Sequence, residues 1–206
     1  MMIKAVIFDI GAVLIDFEWK RFLCRLFGEK TAEAVFDATW GTEAWHELDR
    51  DALPRSEIMR MFTDTAPEYA AEITEAMTRV GECAVMHSYA IPWVQELKAQ
   101  GLQVYFLSNY FPYLIWKKPE ALAFIEYMDG GVFSWQEKIT KPEPEIFRTL
   151  LTRYGLQAKE CVFIDDSQVN VDAANALGLH AFRFVSYDDT KPAITQFLAD
   201  RTKYFA

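Results

Sequence analysis

The chain has 206 residues, 51% of them hydrophobic, and a formal net charge of −9, which is long and apolar enough for one sizeable core plus a smaller accessory unit without disulfide or metal staples. The acidic balance excludes duplex nucleic acid as a partner, because such binding needs a cationic surface that releases counterions, and no apolar run approaches the roughly 20 residues that span a bilayer. Cys24, Cys83 and Cys161 are odd in number and lack metal-ligand spacing, and Met1-Met2-Ile3-Lys4 runs straight into a strand rather than a signal peptide, so buried thiols and a cytoplasmic compartment are expected.

The first element is a strand over 3–8, closed by Asp9. From 16 to 87 apolar residues recur at three- and four-residue spacing, which predicts helices over 17–27, 31–39, 54–62 and 67–82 and no strand. From 88 onward strands alternate with helices, the pattern of βαβ units and hence of a parallel sheet with right-handed crossovers. A helix over 93–100 has Pro92 in its first turn and ends at Gly101. A strand over 104–107 ends in Ser108-Asn109, and a strand over 136–140 precedes Lys141. Lys141-Pro142-Glu143-Pro144-Glu145 opens a helix whose inward face is Ile146, Phe147, Leu150, Leu151 and Tyr154, closed by Gly155. A strand over 161–164 ends in Asp165-Asp166, and a helix over 170–177 stops at Gly178. The strand over 3–8 needs partners for its backbone groups and therefore belongs with the later strands. The expectation is an α/β core from 1–15 and 88–206, with residues 16–87 inserted as a helical unit after the first strand.

In an open parallel sheet, ligands bind outside the carboxyl ends of the strands. Asp9, Ser108, Asn109, Lys141, Asp165 and Asp166 should therefore converge although they are far apart in sequence. Three carboxylates, a hydroxyl, an amide and one ammonium can hold a divalent cation, offer an anionic nucleophile and neutralise a phosphate. The adjacent Asp165 and Asp166 would repel each other without a cation beside them.

Four motifs in this order resemble those of the haloacid dehalogenase-like (HAD) hydrolase superfamily: Phe8-Asp9-Ile10-Gly11-Ala12-Val13-Leu14, Leu107-Ser108-Asn109, Lys141-Pro142-Glu143-Pro144-Glu145-Ile146-Phe147 and Ile164-Asp165-Asp166-Ser167-Gln168-Val169-Asn170. The resemblance covers essentially the whole chain. It implies a Rossmann-like core with a parallel sheet and a small helical cap, and a magnesium-dependent phosphatase acting through an aspartyl-phosphate. It also implies Asp9 as nucleophile and magnesium ligand, with the carbonyl of Gly11 as a second ligand. Asp166 is then a direct ligand and Asp165 a water-mediated or outer partner; Ser108 and Asn109 bind phosphate, and Lys141 steadies the phosphoryl in transfer. A carboxylate nucleophile suits neutral pH because it needs no prior deprotonation, and magnesium suits hard oxygen donors.

Gly11 departs from the common pattern, in which a second aspartate two residues after the nucleophile serves as acid and base. Such help is worth roughly 10²–10⁴ in rate. The chain is similar here to the Asp-x-Gly-x-Val sub-branch that includes bacterial glucose-1-phosphate phosphatases, which points to a small phosphorylated metabolite, a sugar phosphate first. A residue of the helical unit could replace the acid, with His46 and Glu47 as candidates beside Trp40 and Trp45, and Tyr110 and Phe111 are expected to shape a pocket wall. Two other functions stand beside this one: a metal-independent 2-haloacid dehalogenase, and a catalytically weak module that binds a phospho-ligand or protein. Oligomeric state and substrate identity are not readable.

Overall fold

The computed structural model describes residues 2–202, so the ends of the 1–15 and 88–206 expectation, Met1 and 203–206, lie outside the described residues. In chain order it forms β1 (Ala5–Phe8), β2 (Ile15–Phe17), α1 (Trp19–Phe27), α2 (Glu29–Thr39), α3 (Glu43–Arg50), α4 (Arg55–Thr65), α5 (Ala70–Thr78), β3 (Ala84–Met86), α6 (Ala90–Ala99), β4 (Gln103–Ser108), α7 (Pro112–Lys117), β5 (Gly130–Phe133), α8 (Ser134–Glu137), α9 (Pro144–Arg153), β6 (Cys161–Asp165), α10 (Gln168–Ala176), β7 (His180–Arg183) and α11 (Tyr187–Thr202).

Five strands make one sheet in the order β5-β4-β1-β6-β7, every pair parallel. Alternate residues of the three central strands feed two cores. Ala5, Ile7, Tyr105, Leu107, Cys161 and Phe163 pack with Ile146, Phe147 and Leu150 of α9, while Val6, Phe8, Val104, Phe106, Val162 and Ile164 share a cluster with Trp93 of α6 and Ile194 of α11. Both faces are covered, which is why these strands read as unbroken apolar runs. Each large side chain buried this way contributes roughly 1.5–3 kcal/mol.

Two strands contradict the expectation that 16–87 is purely helical. β2 and β3 pair antiparallel, Ile15 against Met86 and Phe17 against Ala84, and carry the chain out to α1–α5 and back. Each has three residues, too few for an alternation to show. The predicted helix over 67–82 is broken into α5 flanked by 3-10 turns at Pro67–Tyr69 and Val80–Cys83.

The strand expected over 136–140 is also corrected: β5 lies earlier, and Ser134–Glu137 is helical, ending in a left-handed Lys138. The strand was hidden because it begins Gly130-Gly131, residues of poor strand propensity. Packing requires them, since a Cβ on Gly131 would lie 2.4 Å from the Phe106 ring and one on Gly130 equally close to the Tyr154 hydroxyl.

The helical insert docks on the sheet domain through the end of α3. Ser134 Oγ donates to the Asp49 carbonyl at 2.6 Å and accepts from the Tyr110 N–H at 3.0 Å. Arg50 reaches Glu143 at 2.9 Å, and Lys138 reaches Asp51 at 2.8 Å.

Candidate active site

Asp9 caps the central strand, and its N–H donates to the Ile164 carbonyl of β6 at 2.8 Å. Its Oδ1 accepts from the Ile10 N–H at 2.7 Å and meets Lys141 Nζ at 2.8 Å. The same ammonium donates to Asp165 Oδ2 at 2.7 Å, with the Lys141 side chain 1% exposed and Asp165 wholly buried. Asp165 Oδ1 further accepts from the Ser167 N–H at 2.9 Å and Asn170 Nδ2 at 3.0 Å. Asn109 fixes the lysine by its main chain: its Oδ1 accepts from the Lys141 N–H at 2.8 Å, and its Nδ2 donates to the Lys141 carbonyl at 3.0 Å.

One carboxylate oxygen from each of Asp9, Asp165 and Asp166 lies within 4.8 Å of the others. Three carboxylates against one ammonium leave the cluster short of positive charge. Burial, then the charges of Asp165 and Asp166, raise the Asp9 carboxyl above its ordinary range although Lys141 pulls it down. Asp166 is also raised, first by burial and then by Asp165. The two neighbouring carboxylates hold the Lys141 ammonium up against the opposite push of burial. A hard divalent cation fits this donor set: the oxygens are close, anionic and underpaired.

Beside the cluster opens a cavity of about 190 Å³, lined by Asp9, Gly11, Asn109 and Asp166 from the sheet domain and by Trp40, Trp45 and Asp49 from the helical insert. Phe17, Tyr110, Phe111 and the aliphatic Leu114 complete a mostly aromatic wall, so Tyr110 and Phe111 stand where the sequence suggested. Ser108 is buried at the end of β4 and is not part of the lining. A larger groove of about 290 Å³ between α1 and α2 holds no comparable acidic cluster.

The sequence reading missed Asp49 and proposed its neighbours instead. His46 is exposed, Glu47 pairs with Arg50 at 3.0 Å, and neither lines the cavity. Helix α3 is capped by Thr42, whose Oγ1 accepts from the Trp45 N–H, a cap worth about 1 kcal/mol. Its buried residues are Ala44, Trp45, Leu48 and Asp49. An acid on the apolar stripe of an eight-residue helix was the available signal. Burial, followed by the nearby Asp9 charge, pushes the Asp49 carboxyl up to about 8, against the smaller opposing pulls of Lys141 and Trp45.

A family model of haloacid dehalogenase-like hydrolases matches residues 3–178. Sesquiterpene phosphatase astK of Aspergillus oryzae is 26% identical over 176 residues, 85% of this chain and 87% of that protein. D-ribitol-5-phosphate phosphatase of Bacteroides thetaiotaomicron is 25% identical over 208 residues, covering 96% and 99%. Among solved structures, a HAD family enzyme from Bacteroides thetaiotaomicron in complex with magnesium and inorganic phosphate superposes with a TM-score of 0.68 at 24% identity, over 91% of this chain and 96% of that one, a likeness of fold.

Proposed function

The chain belongs to the haloacid dehalogenase-like hydrolases, and from that premise we propose that it is a magnesium-dependent phosphomonoesterase working through an aspartyl-phosphate on Asp9. The observation that carries this reading is the acidic cluster itself, Asp9, Asp165 and Asp166 within 4.8 Å around one buried ammonium. A metal-independent dehalogenase would have no use for such a cluster, and its carboxylate substrate would be repelled by it.

In this reading Asp9 attacks phosphorus. The close contacts to Ile10 and Lys141 fall on Oδ1, which leaves Oδ2 available as the attacking oxygen. Lys141 offsets the charge of both carboxylates and of the phosphoryl oxygens. Asn109 holds the lysine in register from the end of β4 and lines the cavity beside the phosphate, while Ser108, expected to bind phosphate, lies buried behind that lining. Magnesium, held by Asp9, Asp166 and the Gly11 carbonyl with Asp165 behind them, would withdraw charge from the phosphoryl oxygens. Residues 16–87 act as a cap over a core of 1–15 and 88–206. The cytoplasm is the proposed compartment, consistent with three free thiols; among the described residues no helix is long and apolar enough to cross a membrane.

The substrate is a small phosphate ester, and the cavity wall shifts the preference from the sugar phosphate expected from the sequence toward a more apolar alcohol. Beyond the phosphate end the wall is mostly aromatic, with Phe17, Trp40, Trp45 and Phe111. Rings take the C–H face of a sugar or the body of an apolar alcohol, and few hydrogen-bonding groups are present to reward a polyol. An alcohol with a large apolar face is therefore favoured. The two relatives named above, one named for a sesquiterpene and one for a sugar alcohol phosphate, bracket the choice.

The test is phosphate release from glucose 1-phosphate, a short prenyl monophosphate and p-nitrophenyl phosphate, in magnesium and in excess chelator, with 2-chloropropionate as control. Phosphate release that vanishes with chelator and returns with magnesium is expected, the prenyl ester having the higher kcat/KM. Halide release in chelator would overturn the reading in favour of the dehalogenase.

A further inference from the structure

The position two residues after Asp9 carries no acid, only a glycine packed against an aromatic ring. Gly11 lines the cavity, and a Cβ built on it would lie 3.2 Å from the Phe17 ring. If the chain hydrolyses ordinary alkyl phosphates, the proton for the leaving oxygen must come from elsewhere.

Of the ionisable groups in the cavity wall, Asp9 is bound to Lys141, and Asp166 belongs to the acidic cluster. Asp49 is the one acid contributed by the helical insert. It is only 9% exposed, and Trp45, one turn earlier on α3, stands beside it in the same cavity wall. Its own carbonyl is held to the sheet domain by Ser134 at 2.6 Å, so its backbone is fixed relative to Asp9. Tyr110 is the other proton-bearing group in the wall, but burial drives its phenol far above its ordinary range, and its hydroxyl is buried without a partner.

We propose that Asp49 is the acid–base residue of this hydrolase, doing from the helical insert what Gly11 cannot do from the β1 loop. The proposal rests on the phosphatase reading. In the first step an Asp9 oxygen bonds to phosphorus and the phosphorus–alcohol oxygen bond breaks. The departing oxygen takes its electron pair and the Asp49 proton, giving a neutral alcohol, an aspartyl-phosphate and an Asp49 carboxylate. In the second step a water oxygen bonds to phosphorus and gives a proton to Asp49. The phosphorus–Asp9 bond breaks, its electron pair returns to Asp9, and inorganic phosphate leaves. The elevated carboxyl of Asp49, pushed to about 8, keeps it protonated at neutral pH, as the first step needs.

The test compares the full chain with Asp49→Asn and Tyr110→Phe, in magnesium, on p-nitrophenyl phosphate, whose phenolate leaves unaided, and benzyl phosphate, whose alkoxide needs a proton. Because kcat/KM reports only as far as alcohol departure, Asp49→Asn should hold it within about 10-fold on the aryl ester. On the benzyl ester it should fall by about 10²-fold or more. On the aryl ester kcat should drop and phosphoenzyme accumulate, since the second step loses its base. The ratio of the two kcat/KM values in one sample is independent of the folded fraction. An equal loss on both esters, no loss on either, or the same shift in Tyr110→Phe would overturn the assignment while leaving the phosphatase reading intact. A wild-type chain that hydrolyses neither ester would sink the phosphatase reading, and the assignment with it.

Discussion

At the carboxyl edge of the sheet, Lys141 lies between Asp9 and Asp165 at 2.8 and 2.7 Å, and Asn109, Ser167 and Asn170 tie these groups to the backbone and to one another. Across the cavity, α3 and its neighbours present Trp40, Trp45 and Phe17 and a single acid, Asp49, on which burial outweighs the charge of Lys141. The floor is a network in which each group's charge state depends on the next. The roof is an apolar wall in which one carboxyl is tuned by burial. Such a division suits an enzyme whose attack on phosphorus is common to many substrates while the alcohol varies: the invariant chemistry is locked into the sheet, and the alcohol meets the helices.

The sharpest way to break this contrast is Asp9→Asn, which keeps shape but removes the nucleophilic charge. Turnover should fall by at least about 10³-fold with every substrate, while thermal unfolding stays cooperative. Retention of more than a few per cent of activity would move the nucleophile elsewhere.

A second prediction concerns the floor's dependence on its one ammonium. Lys141→Met leaves two buried carboxylates without their partner, and removal of one member of a buried ion pair costs roughly 3–5 kcal/mol. Urea unfolding at pH 7 should show a correspondingly lower midpoint with unchanged slope. A loss below about 1 kcal/mol would place Lys141 with the surface pairs and undo the contrast.

The roof should respond to pH in the opposite sense from a paired carboxylate. Folded Asp49 titrates at about 8 against an ordinary 3.8, so between those values the folded chain holds a proton that the unfolded chain has released. Its contribution to stability is fully present below the lower value and is lost as pH rises through the upper, by up to about 1.4 kcal/mol per pH unit. Asp49→Asn removes that slope. Wild type and variant should unfold alike near pH 4 and diverge toward pH 8, where the variant is the more stable. Parallel stability curves would show that the carboxyl is not held neutral.

The floor was far more legible in the sequence than the roof. Asp9 and Asp165 close apolar runs whose both-face burial makes them conspicuous, and strand-end geometry predicts that they meet, whereas Lys141 stood out through the Lys141-Pro142-Glu143-Pro144-Glu145-Ile146-Phe147 string that opens α9. Lys141 was reached despite a misplaced strand, because Gly130-Gly131 concealed β5 and Ser134–Glu137 is helical. The helical insert offered no comparable punctuation. β2 and β3 are three residues each, and α3 is eight. Whether its carboxyls face the cavity depends on a rotation about the helix axis: one step along α3 separates exposed His46 from buried Trp45, and Asp49 lies a turn beyond.

The central place of β1 also sets a clock. Its residues are paired on both sides, to β4 and β6, so their amide protons exchange with solvent only when the whole domain unfolds. At the joint at the end of α3 the Asp49 carbonyl is held by buried Ser134, whereas outlying pairs such as Lys138 with Asp51 are exposed and open at far lower free energy. Exchange beneath Asp9 therefore reports the unfolding of the whole domain, exchange at the last turn of α3 reports the joint alone, and the two rates give separate readings of floor and roof.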